Sequence, residues 1–174
     1  SDNPQQPVLN LLDVLGDLFQ EHNSFFCPSI ENCYGDVIFF KKDISVLESG
    51  DICIYDNSNY VGHGGNHSRN LQYISFIKNG ERINVLNVHG LWNGQGKNDC
   101  PERIQQSHHI KNFINQLKTP YVLCGDFNLN PDTESLKIIA DSAVDLIKIH
   151  DIKSTRSSFY TKQEQFADYV FTSP

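Results

Sequence analysis

The sequence predicts an α/β sandwich of mixed, mostly antiparallel sheets flanked by helices. Three observations carry that expectation. The run "LQYISFIKNGERINVLNVHGLW" holds two alternating segments around Asn79-Gly80, the preferred pair for a two-residue hairpin turn. "YVLCGDF" is a short apolar run with little polar alternation, as in a central strand buried on both faces. Helical patterns alternate irregularly with these strands, which argues against a doubly wound parallel sheet.

The elements follow in order. "VLNLLDVLGDLFQEH" spaces Leu9, Leu12, Leu15 and Phe19 along one helical face and turns Asp13, Asp17 and Gln20 to water, so residues 5–21 read as an amphipathic helix. "DVIFFKK" is rich in β-formers and reads as a strand. The hairpin comes next and delivers His89 to the C-terminal end of its second strand. In "CPERIQQSHHIKNFINQLK", Pro101 suits the first helical turn, and Ile104, His108, Phe113 or Ile114 and Leu117 share a face. After "YVLCGDF", the stretch "NPDTESLKIIA" starts a short helix with Asn130 or Asp132 as cap, and "DYVFTS" is a last strand. Residues 55–70 form the longest expected loop, a place where function often sits.

Composition narrows the classes. A chain of 174 residues with 39% apolar and 20% charged residues has the balance of one globular domain, 1–174. Its net charge of -7 disfavours affinity through a broad basic face laid along nucleic acid. No apolar run approaches the length of a membrane span, and "SDNPQQP" lacks the pattern of a signal peptide. The five cysteines show no C-x-x-C spacing, so most read as buried thiols in a reducing compartment, and the cytoplasm is the expected setting.

Three strand ends carry polar groups: His89, then Asp126 and Asn128, then Asp168. On neighbouring strands they would converge on one rim. Asp and Asn also suit a plain tight turn, so the pair in "GDFN" has a structural reading as well. His63 and His67 are spaced like helical zinc ligands, but "HGGNH" cannot hold a helix and reads as a loop. "GLWNGQGKN" is not a phosphate loop, since its glycine spacing is one too long and Asn98 stands where Ser or Thr would hold Mg²⁺. Trp92 and Lys97 in that stretch could touch substrate or simply pack. His108 and His109 read as a half-buried pair on a helix.

"NVHGLW", "GDFNLNP" and "ADYVF", in that order and with an Arg- and Gln-bearing helix between the first two, resemble the endonuclease/exonuclease/phosphatase superfamily, the deoxyribonuclease I-like phosphoesterases. The resemblance runs from about Asp36 onward. It implies a deoxyribonuclease I-like sandwich and Mg²⁺- or Mn²⁺-dependent hydrolysis of phosphate esters by direct attack of water. It implies that Asp126 orients or deprotonates the water and is a candidate metal ligand. By the same resemblance Asn128 and His89 face the phosphoryl oxygens, Asp168 orients a histidine, and Arg69 faces phosphate. The implied substrate is a nucleic acid, a small phosphorylated molecule or a lipid headgroup, with no protein partner indicated.

The sequence also departs from that pattern. No Asn-bearing strand or Gln-Glu strand precedes the first helix; Gln20-Glu21 stand at a helix end, so Glu21 is not assigned as ligand. The closing S-D-H motif is not reached. The expectation is therefore a domain incomplete at both ends, whose parent is an enzyme. The alternative is a binding or scaffolding domain that keeps the fold without catalysis.

Overall fold

The computed structural model describes residues 11–30, 34–60, 65–161 and 163–174. In chain order they form α1 (Leu11–Leu18), β1 (His22–Ile30), β2 (Tyr34–Lys41), β3 (Val46–Tyr55), β4 (Arg69–Lys78), β5 (Glu81–His89), α2 (Pro101–Gln116), β6 (Tyr121–Asp126), α3 (Glu134–Ala140), β7 (Val144–Asp145), α4 (Leu146–Ile149) and β8 (Asp168–Thr172). Two sheets result: a β1-β2 hairpin, and a six-stranded sheet in the order β3-β4-β5-β6-β8-β7. Only β5 and β6 run parallel; the other pairs are antiparallel. The parallel pair needs a long crossover, and α2 supplies it. The mixed, mostly antiparallel sandwich read from the sequence is the fold observed.

Asn79 and Gly80 take φ values of 55° and 82°, the left-handed pair that matches a two-residue turn to twisted strands. Lys78 therefore pairs with Glu81, and the register runs on to Leu71 opposite Val88. One face of the large sheet, with Leu71, Leu86, Leu123 and Phe171, packs with Ile110 and Ile114 of α2 and Ile139 of α3 into the main core. The opposite face meets the small sheet through polar bonds. Gln72 donates to the Phe25 carbonyl (2.6 Å) and Asn70 to that of Pro28 (3.3 Å).

Several expectations change. Of the helix read over residues 5–21, the described part is α1; residues 5–10 lie outside the described residues. None of α1's residues is buried, so its apolar stripe is not a core face. Strands β1 and β3 are additions that the sequence did not announce. The buried face of α2 is Arg103, Gln106, Ser107, Ile110 and Ile114, not the Ile104–His108 face, because Arg103 and Gln106 find carbonyl and amide partners in the loop before the helix. His108 is exposed and His109 bonds to the Ile54 carbonyl. The N-cap of α3 is Thr133, and the Asp99 carboxylate, from another loop, accepts the Glu134 and Ser135 N–H groups in place of Asn130 or Asp132. β6 is fully buried on one face only. Cys27 is buried, Cys53 is exposed, and Cys100 and Cys124 lie between, so the thiols are not uniformly core residues. No described helix is long and apolar enough to cross a membrane.

Candidate active site

Register decides which polar groups meet. His89 at the end of β5 pairs with Asp126 at the end of β6, and Asp126 pairs with Asp168 at the start of β8. Cross-strand partners point to the same face of a sheet. The imidazole and the two carboxylates therefore stand abreast on one rim, as the three strand ends led us to expect.

Glycine permits that close approach. Gly125 sits at φ 141°, and a Cβ there would lie 2.0 Å from the Val88 carbonyl oxygen. Only glycine lets β6 run that close to β5 immediately before Asp126. Beyond the strand the chain turns at once. Asn128 adopts φ 52°, its N–H donates to Asp126 Oδ1 (2.8 Å), and its Nδ2 donates to the Gly90 carbonyl (3.1 Å). Asn128 is 6% exposed, and Phe127 between them is fully buried. The turn is thus built by Asp126 itself, which uses one carboxylate oxygen for the backbone and turns the other, Oδ2, toward Arg156 (4.0 Å from Nη1). The structural reading of "GDFN" therefore holds, and it leaves Asp126 Oδ2 outside the turn.

Arg69 enters from the start of β4. It is 2% exposed, its Nη2 donates to the Gly65 carbonyl (2.7 Å), and its Nε and Nη1 have no hydrogen-bond partner among the described residues. Burial lowers its pKa, while Tyr34, Asp36 and Asp126 act in the opposite sense. The guanidinium thus lies beside the Tyr34 hydroxyl, two carboxylates and an imidazole, with its Nε and Nη1 buried.

The titrating groups around it are strongly displaced. Burial, then the Arg69 charge, brings the His89 pKa down to about 4 against a smaller opposing effect of Asp126, so the imidazole is neutral at physiological pH. Tyr34 Oη and His89 Nδ1 share a hydrogen bond of 3.2 Å, and the Tyr34 ring stands edge-on to His67 with centroids 4.8 Å apart. Burial raises Asp36 on β2 to about 6, with Arg69 opposing. Asp168 is raised by burial and then by Asp126, while Arg156 and Lys97 draw it down.

Lys97 is 3% exposed, donates to the Phe166 carbonyl (2.9 Å), and has Asp126 and Asp168 among the charges that act on it. Trp92 lies against Gly65, where a Cβ would come within 2.4 Å of its indole. His63 lies outside the described residues; His67 is buried and bonds to the Ser68 carbonyl. Sequence reasoning missed Tyr34, Asp36 and Arg156. Each reaches the rim through strand pairing or loop return across a long sequence separation, and no local spacing marks them.

No protein-family model matches the sequence. No curated protein matches it. Solved structures do. An endonuclease/exonuclease/phosphatase from Bacteroides vulgatus aligns with TM-score 0.72 at 18% identity over 95% of this chain and 69% of its own. A mannosyl-6-phosphatase from Bacteroides thetaiotaomicron aligns with TM-score 0.69 at 17% identity, over 94% of this chain and 67% of that one. A humanized D. rerio TDP2 aligns with TM-score 0.73 at 16% identity, over 93% and 65%. The chain spans about two thirds of the length of these structures. It carries the fold of the endonuclease/exonuclease/phosphatase superfamily.

Proposed function

We propose that this chain forms the phosphate-handling part of a divalent-metal-dependent phosphoesterase that cleaves a phosphate ester by direct attack of water. The observation that carries the reading is the row His89, Asp126 and Asp168 on adjacent strand ends, with the buried Arg69 guanidinium beside it.

Each group suits a task in that reaction. Ester hydrolysis spreads negative charge over the non-bridging oxygens, and preorganised donors in a water-poor site stabilise it best. Arg69 has two buried N–H groups to offer, and Asn128 is fixed by its bond to Gly90. His89 is neutral, so its ring can donate a hydrogen bond without adding a second cation next to Arg69. Asp126 is held rigidly by the Asn128 N–H, which suits a base that aligns a water. Asp168 lies next to it as a second carboxylate, paired with Arg156 Nη1 at 3.4 Å.

The ion in this reading is Mg²⁺ or Mn²⁺, for which a carboxylate such as Asp126 is the right type of donor. Such ions take hard oxygen ligands and are commonly held by one or two carboxylates completed by substrate phosphate and water. Asp126 is the candidate ligand, through the Oδ2 atom that also faces Arg156; among the described residues no group of three His, Cys, Asp or Glu side chains gathers around one point. When bound, the ion supplies positive charge to the phosphoryl oxygens.

The substrate class is a phosphate ester of a nucleic acid or of a small phosphorylated molecule. The similar structures include a mannosyl-6-phosphatase and a D. rerio TDP2 complexed with a single-strand DNA product, which supports both halves of that class.

Asp126→Ala and Asn128→Ala test the assignment. Each is expected to abolish hydrolysis of an activated phosphodiester while circular dichroism shows an intact fold. Full turnover in both variants overturns it.

A further inference from the structure

We propose that Arg156 is a positioning residue of the rim, bracing Asp126 and Asp168 side by side from a loop fastened to the start of β8. The catalytic consequence rests on the phosphoesterase reading above; the brace itself rests on geometry.

Asp126 and Asp168 are direct cross-strand partners. Like charges at such a pair repel and would splay the strand ends or turn the carboxylates apart. Arg156 Nη1 lies 3.4 Å from Asp168 Oδ2 and 4.0 Å from Asp126 Oδ2, so one guanidinium faces both. Its side chain is 19% exposed, against 31% for Asp126 and 46% for Asp168, so the cation is sheltered and the carboxylates face partly into solvent, where salt screens them in part. The Tyr160 ring takes the guanidinium carbon 4.8 Å from its centroid, which adds a cation–π contact. Arg156 Nε is buried without a hydrogen-bond partner among the described residues, so the group is not held there by its own best hydrogen bonding.

The loop is built to deliver it. Thr155 N–H donates to the Gln165 carbonyl (2.9 Å), and Thr155 Oγ1 accepts the N–H groups of Ala167 and Asp168 at 3.2 and 3.3 Å. Ser154 Oγ donates to Gln165 and accepts the Arg156 N–H (3.1 Å). Residues 154–156 are thus stapled to 165–168, and the side chain that follows the staple lands between the two carboxylates.

The test pairs unfolding with turnover. In urea unfolding, Arg156→Gln is expected to lower the midpoint, Arg156→Lys to recover part of the loss, and Arg156→Gln to cost less in an Asp168→Asn background than in the wild type. In hydrolysis, Arg156→Gln is expected to cost about a hundredfold in kcat, the scale of a small misplacement of catalytic groups. KM is expected to change by less than about threefold, because substrate binding is not its task. Added guanidinium is expected to restore part of the turnover of Arg156→Ala.

Losses in unfolding that simply add overturn the brace, whether or not the chain hydrolyses esters. A wild-type chain without turnover but with non-additive unfolding overturns the catalytic consequence for these 174 residues and leaves the brace standing. A kcat unchanged in Arg156→Gln, in an active protein, overturns the catalytic consequence.

Discussion

His89 and Asp36 are expected to oppose each other in the pH dependence of stability, so that each hides the other in the wild type. His89 falls from an ordinary 6.5 to about 4 on folding. Below pH 6.5 the unfolded chain therefore takes up a proton that the folded chain refuses until about pH 4, and stability is lost as the pH drops through that window. At about 1.4 kcal/mol per pH unit, the loss is roughly 3 kcal/mol. Asp36 rises from 3.8 to about 6. Between pH 6 and 3.8 it is protonated when folded and ionised when unfolded, so stability is gained as the pH drops, again by roughly 3 kcal/mol. Both groups feel Arg69, which disfavours the charged imidazole and favours the charged carboxylate. The variants separate them. Relative to wild type, Asp36→Asn is expected to lose roughly 3 kcal/mol between pH 6 and 4, and His89→Gln to gain a similar amount. Urea unfolding at half-unit pH steps reads this directly. Parallel stability curves for wild type and both variants would refute the burial of these two groups around Arg69.

Other substitutions test the scaffold. Gly125→Ala forces a Cβ to 2.0 Å from the Val88 carbonyl oxygen at φ 141°, and is expected to cost roughly 3 kcal/mol or more in denaturant unfolding. Gly80→Ala, at φ 82° with open space around it, is expected to cost only about 1–2 kcal/mol by the same measurement. Arg103, 1% exposed, donates to the carbonyls of Leu91, Gly96 and Asn98. Arg103→Met is expected to cost roughly 3 kcal/mol and to raise amide exchange across residues 91–98, because those acceptors lose charged donors.

What could be read in the sequence was what local chemistry dictates. Asn79-Gly80 demands a particular turn, and the alternation on either side of it fixes the faces of β4 and β5. His89, Asp126 and Asp168 were legible because each terminates an apolar strand run, and strand ends on neighbouring strands meet. β1 was not legible: "HNSFFCPSI" contains Pro28 and no clear alternation. β3 carries Gly50 and Asp51 in mid-strand and is held by its pairing with β4 more than by propensity. The face of α2 was misjudged because the helix buries Arg103 and Gln106, polar side chains satisfied by loop carbonyls and amides far from any periodic signal. Arg156 escaped notice for a similar reason. Its importance lies in a loop that returns to β8 through side-chain staples, and nothing in "KSTRSS" announces that return.

Hydrolysis of bis(p-nitrophenyl) phosphate by the 174-residue chain, with Mg²⁺ and with EDTA, tests the central claim most directly. The account predicts turnover that requires the metal and disappears in Asp126→Ala. Turnover that persists in EDTA or in Asp126→Ala would contradict it, and a folded wild-type chain without turnover in Mg²⁺ would leave these 174 residues with the binding or scaffolding alternative.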